Sequence, residues 1–375
     1  MKFLHIIQLN ERNTYHLFRQ LHDTYNLENH TFLVMNVKSA VKDFPKFQEF
    51  DNFLYLPEYG KLKKIRKIIE ELRAADCVIF NSLLFNSSNY LLLFYLARFL
   101  YHNAAWVEWG GDLYNWKREE KTIKNFIINH INRALRKKMK VIGLTSDCDD
   151  VEVYKQFPEC KGVHLAPLPF GSDRIDLLET NRPVEKKDGT VRVQVAHNSL
   201  QVNNHISILA KLERFYSKDI KIILPLSYGV FGIGGQYGGF DYKRSVIITA
   251  KSMFREKLVV MDKNIDIESY LRYLWHIDIV VFETGRPIGM ANILYLMYMR
   301  KKIFLPSDSP QYKFFVAKGI EVYDTYQIPY MSYEEFSAPV KSAEIHPWVK
   351  KKFIVGNDIA EWGGFFEMIE QMSEK

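Results

Sequence analysis

Cysteine is scarce in this chain of 375 residues: Cys77, Cys148 and Cys160 are odd in number and show no Cys-x-x-Cys or Cys/His spacing. That argues against a disulfide framework and against structural zinc, and for a reducing compartment. Long apolar runs are missing too. The most apolar segment, Tyr90 to Tyr101, is too short to span a bilayer and carries Arg98, so it reads as a buried helix. The opening run from Met1 to Asn10 is broken by Gln8 and followed by Glu11 and Arg12, so no signal peptide is expected and the run reads as a first strand. A cytoplasmic location is expected. No Gly-x-Gly-x-x-Gly follows the first strand of either half, which argues against an NAD-dependent enzyme. Low-complexity segments are absent as well, and 47% hydrophobic with 25% charged residues is ordinary for a globular enzyme.

What is present begins with an uneven charge. The formal net charge is +7, and Lys117 to Lys140 alone holds nine Lys/Arg against two Glu, while Lys61 to Arg73 adds six against two. Within the latter, Leu62, Ile65, Ile68, Ile69 and Leu72 fall on one helical face and leave Lys61, Lys63, Lys64 and Lys67 for solvent. A basic face on an amphipathic helix suits anionic headgroups or nucleic acid, and a merely solvated face is the alternative. With two such segments, 61–73 and 117–140, and no nucleic-acid module, an anionic membrane surface is the expected partner and nucleic acid is not.

The length favours two domains. In the first half, apolar strands at Phe3–Leu9, Thr31–Val37, Cys77–Phe80, Ala104–Glu108 and Val141–Leu144 alternate with helical periods through Tyr15–Leu27, the basic helix and the apolar helix. Around Gly171 to Thr190 the pattern stops, which reads as a linker. It restarts with strands at Val191–Ala196, Ile220–Leu226, Leu258–Met261, Asp278–Glu283 and Lys302–Leu305, and helices at Asn203–Tyr216, Tyr242–Phe254, Ile267–His276 and Ala291–Arg300. Such alternation predicts α/β architecture with parallel sheets in two doubly wound domains. Residues 1–175 are expected to form the first domain and 176–355 the second, with a last helix, Asn357–Met372, crossing back to the first.

Trp106-Val-Glu-Trp-Gly-Gly-Asp-Leu-Tyr-Asn-Trp116 puts an apolar run, two glycines, a carboxylate and four aromatics into eleven residues. Gly110 and Gly111 free the backbone for close approach, and Asp112 stands at the carboxyl edge of a strand, where open α/β sheets place ligands. Trp109, Tyr114 and Trp116 offer flat faces to a sugar or an acyl chain. Equally open is that Asp112 caps a helix starting near Leu113 and that the aromatics are core.

Three further strand ends carry candidates. After Val191–Ala196 come His197-Asn198-Ser199 and then Asn203-Asn204-His205 at a helix start, an anion site by side chains and helix N–H groups, or plain capping by Asn203. Pro225-Leu-Ser-Tyr-Gly229 places Tyr228 to stack on a base and opens Gly229–Gly239, with six glycines in eleven residues and no phosphate-loop pattern. In Glu283-Thr-Gly-Arg-Pro-Ile-Gly-Met-Ala-Asn-Ile293, Arg286 suits bidentate bonds to phosphate, and N–H groups around Met290 to Asn292 complete a cradle. Arg286 as a surface cation is the alternative. Asp147-Cys-Asp149 matches the metal-binding Asp-x-Asp of some glycosyltransferases, but helix capping explains it adequately.

Together these segments resemble the bacterial TDP-N-acetylfucosamine:lipid II N-acetylfucosaminyltransferase family, the family 56 glycosyltransferases with their 4-alpha-L-fucosyltransferases. The resemblance runs from the first strand to about residue 310, with a weaker echo at Trp362. It rests on Trp109-Gly110-Gly111-Asp112-Leu113-Tyr114, similar to the family's Trp-Gly-x-Asp-Leu-Tyr, on Asn198-Ser199 with Asn204-His205, on Pro225-Leu-Ser-Tyr-Gly229, and on Arg286 with Met290 and Asn292-Ile293. The chain departs from the family in reading Arg286-Pro-Ile-Gly-Met-Ala-Asn-Ile293 for Arg-Gln-Gln-Ala-Met-Gly-Asn-Ile, and in carrying Asn81 and Ser82 where histidine and glycine are usual.

The resemblance implies GT-B architecture, two Rossmann-like domains facing a central cleft, with acceptor on the first and nucleotide sugar on the second. It implies transfer of a fucose- or N-acetylfucosamine-type sugar from a TDP-linked donor to a lipid-linked saccharide or oligosaccharide, at the inner face of the bacterial cytoplasmic membrane. Donor contacts are then expected from Asn198, Ser199, Asn204, His205, Tyr228, Arg286, Met290 and Asn292, and acceptor contacts from Trp109, Gly110, Gly111 and Tyr114. Asp112 is the expected general base or acceptor-orienting group. No metal or other cofactor is expected. Alternatives are a UDP- or GDP-sugar transferase acting on capsule, lipopolysaccharide or protein glycans, a non-hydrolysing sugar epimerase, and a non-catalytic nucleotide-binding membrane scaffold.

Overall fold

The computed structural model describes residues 1–7, 17, 21–22, 25, 27–35, 51–56, 59–85, 88–167, 175–183, 188–227, 240–263, 265–354 and 356–373. The chain divides into two compact units, Met1–Phe170 with Gly356–Lys375, and Gly171–Val355.

In the first unit, short apolar runs become strands β1 (Phe3–Ile7), β2 (His30–Val34), β3 (Phe53–Tyr55), β4 (Cys77–Asn81), β5 (Asn103–Glu108), β6 (Val141–Leu144) and β7 (Gly162–Leu165). They form a sheet in the order β3-β2-β1-β4-β5-β6-β7, parallel throughout. Parallel strands covered on both faces need apolar residues at nearly every position, and all five residues of β1 and of β4 are buried. One face packs Leu4, Ile6, Val78, Phe80 and Trp106 against helices α1 (Lys61–Ala74), α2 (Ser88–Leu96) and α4 (Ile123–Lys137). A four-residue helix, α3 (Gly111–Tyr114), follows β5, and α5 (Asp150–Gln156) follows β6.

The second unit opens with α6 (Ile175–Thr180), inside the stretch expected to be a linker. Leu178 is buried, and its carbonyl accepts from the Trp275 indole N–H at 2.8 Å. One six-residue turn of helix shows too little periodicity to be recognised in sequence. Strands β8 (Val191–Val195), β9 (Ile220–Pro225), β10 (Leu258–Met261), β11 (Ile279–Val281), β12 (Lys302–Leu305) and β13 (Tyr323–Asp324) lie in the order β10-β9-β8-β11-β12-β13, again parallel. The helices are α7 (His205–Leu212), α8 (Phe240–Phe254), α9 (Ile267–His276), α10 (Met290–Tyr298), α11 (Pro310–Ala317), α12 (Tyr333–Ser337) and α13 (Pro347–Lys352). Both sheets reverse direction of growth next to their first strand, at β1/β4 and β8/β11, and the carboxyl ends of those strands are where such sheets bind ligands.

The last helix, α14 (Asn357–Ser373), covers the other face of the first sheet. Trp362 is fully buried and its indole N–H donates to the Pro167 carbonyl at 2.8 Å. A Cβ on Gly143 of β6 would come within 2.9 Å of the Phe365 ring, so helix and strand meet at a glycine. Beneath α14, His5 Nε2 and His30 Nδ1 are 2.9 Å apart. Burial, then the neighbouring His30, holds His5 well below its usual value, and burial pushes His30 down to about 4. Both rings are neutral in the folded chain, whereas the unfolded chain protonates them near 6.5. Stability is therefore complete above about pH 6.5 and falls as pH drops towards 4. Urea midpoints measured across that window are expected to decline, and a flat profile would contradict the neutral pair.

The basic helices differ from expectation in part. On α1, Ile68 and Leu72 are buried, but Leu62 is 85% and Ile65 44% exposed. Arg136, counted among the cations of 117–140, is buried, and Lys138 and Lys140 bind the Arg98 carbonyl and the Asn103 side chain at 2.6 Å each. Among the described residues no helix is long and apolar enough to cross a membrane.

Candidate functional site

At the end of β5 the chain turns on Gly110, whose φ of 69° is open to glycine and strained for other residues. The turn brings Asp112 back under the strand that precedes it. Its Oδ2 accepts the Trp106 indole N–H at 2.8 Å and the Leu83 N–H at 2.7 Å, and its Oδ1 accepts the Trp109 N–H at 2.7 Å. Asp112 is 0% exposed. Capping of α3 by a side chain is not what holds it; the carboxylate instead ties β5 to the segment after β4. Arg136 supplies the nearby positive charge, donating to the Asp112 carbonyl at 2.9 Å and lying over Trp106 and Trp116. Burial lowers its guanidinium to about 10, so it stays cationic at neutral pH.

Sequence reasoning missed Glu108. This last residue of β5 is fully buried, accepts from Gly110 N–H at 2.6 Å and from Thr145 N–H at 3.1 Å, and lies beside Asp149 and Asp112. Burial, and then those two carboxylates, raises its pKa well above the usual range. A carboxylate closing the apolar run Ala104–Val107, one residue before two glycines, was the available signal. Trp109 and Tyr114 are half-buried, Gly111 packs near Leu84, and the Tyr114 hydroxyl donates to Asp149 Oδ1 at 2.7 Å. The Trp109 indole N–H has no partner among the described residues.

Asp149 stands at the N-cap of α5 but makes no side-chain cap bond, which corrects the capping expectation for it. Its carboxylate is buried and faces Tyr114, so Asp147-Cys-Asp149 is not displayed as a matched pair. No cluster of three His, Cys, Asp or Glu that could hold a metal occurs among the described residues.

In the second unit the candidates gather where β8 and β11 end. Asn198 organises the first turn: its Oδ1 accepts from Leu200 N–H at 2.9 Å and from the Asn203 amide at 2.7 Å, and its amide lies 2.9 Å from His197 Nε2. Ser199 is buried beside it. Asn203 therefore braces this turn and does not cap α7; the N-cap is Asn204, in left-handed conformation, and its amide donates to the Glu283 carbonyl at 2.8 Å. Glu283, another residue the sequence reading passed over, accepts from Ser207 at 2.7 Å and Lys211 at 2.6 Å, which pins β11 to α7. His205 is fully buried; its Nδ1 is 3.2 Å from the Tyr242 hydroxyl, and its Nε2 has no partner among the described residues.

Gly289 begins α10 at φ +70°, and a Cβ there would lie 3.0 Å from His197 Nδ1. The start of α10 is thus laid on the His197 ring. Burial, then the charges of His205 and Arg286, pushes His197 down to about 3, and burial pushes His205 down to about 4. Both imidazoles are neutral at pH 7, and half-buried Arg286 supplies positive charge beside them. The side chains of Met290 and Asn292 are engaged within the chain. The Met290 sulfur accepts from Gln311, and the Asn292 amide is held between Gln194 and Tyr270, so what they offer is backbone N–H in the first turn of a helix, where no intrahelical acceptor exists. Tyr228 and the Gly229–Gly239 loop lie outside the described residues.

Gly289→Ala combines a left-handed backbone with contact on His197, and is expected to cost about 1–2 kcal/mol. Urea unfolding measures it; a change under a few tenths would show that the α10 start yields freely.

The fold is that of known sugar-processing enzymes. The chain is similar to a glycosyltransferase from Rickettsia africae (13% identity, 99% of this chain and 98% of that one covered, TM-score 0.61). It is also similar to Anabaena HepE in complex with UDP-glucose (11%, 99% and 100%, 0.64) and to alpha,alpha-trehalose 6-phosphate synthase from Burkholderia multivorans (8%, 100% and 97%, 0.61). At these identities the likeness shows the fold alone, a two-domain α/β architecture of GT-B type. The model of the 4-alpha-L-fucosyltransferases, glycosyl transferase group 56, matches residues 11–328. Matched over that length, the chain belongs to this fucosyltransferase family and is a glycosyltransferase.

Proposed function

We propose that the protein transfers a deoxy or deoxyamino sugar of fucose or N-acetylfucosamine type from a TDP-linked donor to a hydroxyl of a lipid-linked saccharide. The observation that carries the donor half is the convergence of Arg286, His197 and the Gly289 start of α10 at the switch point of the second sheet. There the leaving diphosphate gains a guanidinium, N–H groups of a helix start and two neutral imidazoles. As the acceptor oxygen bonds to the anomeric carbon, the carbon–oxygen bond to the diphosphate breaks, the nucleoside diphosphate leaves with the electron pair, and the acceptor hydroxyl's proton passes to the departing phosphate oxygen. Arg286 and the α10 start stabilise that developing charge. Ser199, Asn198, Asn204 and His205 shape the same edge, and Tyr228 is assigned to the base.

The first unit is assigned to the acceptor, through Trp109, Gly110, Gly111 and Tyr114. Asp112 is proposed to position this wall, since three donors of the chain already occupy its oxygens; as general base it would first have to give them up. The reaction is proposed to need no metal, so transfer should persist in a chelator. A UDP-sugar donor is the second reading, favoured by the UDP-glucose complex of Anabaena HepE.

Thermal shift with TDP, UDP, GDP and ADP, with and without magnesium, tests the donor half. Selective stabilisation by TDP is expected, with about 2.7 kcal/mol at a hundredfold excess over Kd. Selectivity for UDP or GDP would replace the donor, and no shift with any nucleotide would overturn the reading.

A further inference from the structure

In a parallel sheet each crossover helix starts where the preceding strand ends. The first turns of α1 and α4 therefore stand at the same carboxyl edge of the first sheet as Ser82, Trp109 and Asp112. That edge is apolar on its outside. Leu62 and Ile65 on α1 are exposed, and on α4 Ile123 is 81%, Phe126 58% and Ile127 50% exposed. Ile123, Phe126 and Ile127 are spaced three and four apart, so they make one outer stripe, while Ile128, Ile131 and Leu135 make the inner one. The outer stripe occupies only the first two turns of the helix. Further along, His130, Arg133 and Lys137 are the exposed residues.

The charge around this rim has one prevailing sign. Lys61, Lys63, Lys121 and Lys124 are exposed beside the apolar side chains. Acids nearby are Glu119 and Glu120, of which Glu119 pairs with Lys121 at 2.5 Å and Glu120 accepts from Asn129. On α1 the acids Glu70 and Glu71 sit a turn or more away and pair with Arg66 and Lys67. A nucleic acid would satisfy the lysines and leave five apolar side chains in water. A phospholipid surface satisfies both, phosphates meeting the lysines and the acyl boundary taking Leu, Ile and Phe.

We infer that the first turns of α1 and α4 dock on an anionic bilayer, with the Ile123–Phe126–Ile127 stripe inserted at the headgroup boundary. The rim surrounds the edge assigned to the acceptor, so a saccharide on a lipid anchor is presented to Trp109 and Tyr114 without leaving the membrane. The inference deepens the lipid-linked acceptor reading and rests on it for that last step, but docking has its own readout.

Flotation of the full chain with vesicles of phosphatidylglycerol and phosphatidylethanolamine, against phosphatidylcholine alone, tests it. Wild type is expected to float with the anionic vesicles, weakly with the neutral ones, and less in high salt. The triple variant Ile123→Ser, Phe126→Ser, Ile127→Ser and the double variant Lys121→Glu, Lys124→Glu are each expected to bind anionic vesicles at least about tenfold more weakly. All three stripe positions are exposed, so the unfolding midpoint and any nucleotide thermal shift should match wild type. Triple-variant binding equal to wild type, or no wild-type binding, would overturn the docking. So would a wild-type dimer in light scattering that the triple variant dissociates, since a second copy would then cover the stripe. Nucleotide shift without vesicle binding would defeat docking alone, and vesicle binding without nucleotide shift would defeat the donor reading alone.

Discussion

Arg286→Ala is expected to lower kcat/KM for the nucleotide sugar by about 10²–10³-fold, the range seen when one pre-positioned donor to a developing anion is removed. Arg286 lies close enough to add to the burial and the His205 charge that depress His197, and His197 in turn supports Gly289 at the start of α10. Removing the guanidinium leaves the diphosphate the helix N–H groups, which carry partial charge, and the neutral imidazoles. Arg286→Lys should recover part of the loss, because a point charge replaces a planar fork that can make two bonds. The nucleotide-induced thermal shift should shrink in parallel while the unfolding midpoint without nucleotide stays near wild type. A loss below about fivefold would remove Arg286 from the donor site.

The second large effect is at Asp112. Alanine there strands the Trp106 indole N–H and the Leu83 and Trp109 amides, and leaves Arg136 without its nearest carboxylate. Breaking a buried charged network in this way costs about 3–5 kcal/mol. Asp112→Asn keeps the shape but turns an N–H₂ towards a donor, so a cost of about 1–3 kcal/mol is expected. A positioning role predicts that the asparagine variant is less stable and that the acidic limb of its kcat–pH profile is retained. A general-base role predicts the reverse: near wild-type stability, a kcat lower by a hundredfold or more, and the loss of that limb.

Much of the fold could be read from alternation of apolar runs with helical periods, because buried parallel strands are apolar along their whole length. β3, β7 and β13 escaped that reading, being two to four residues long, and β7 carries Gly162 and His164. At the sites, local sequence located the turns but not the partners of their side chains. Gly110-Gly111-Asp112 marks a strand end in any reading, yet the bond from Leu83 to Asp112 joins segments 29 residues apart. The same holds for Asn292, whose Gln194 partner is 98 residues away, and for Glu283, which looks like an ordinary end-of-strand acid until Ser207 and Lys211 are brought to it. Exposure of Leu62 was illegible for a related reason. Periodicity shows which residues share a face of a helix, and the length of the neighbouring layer decides how far along the helix that face is covered.

Nucleoside diphosphate release from TDP-linked N-acetylfucosamine or fucose, followed with and without a lipid-linked saccharide extract, tests the transferase most directly. Acceptor-dependent release is expected, unaffected by a chelator and reduced about 10²–10³-fold by Arg286→Ala. Release that ignores the acceptor, or that Arg286→Ala leaves intact, would contradict glycosyl transfer at this site.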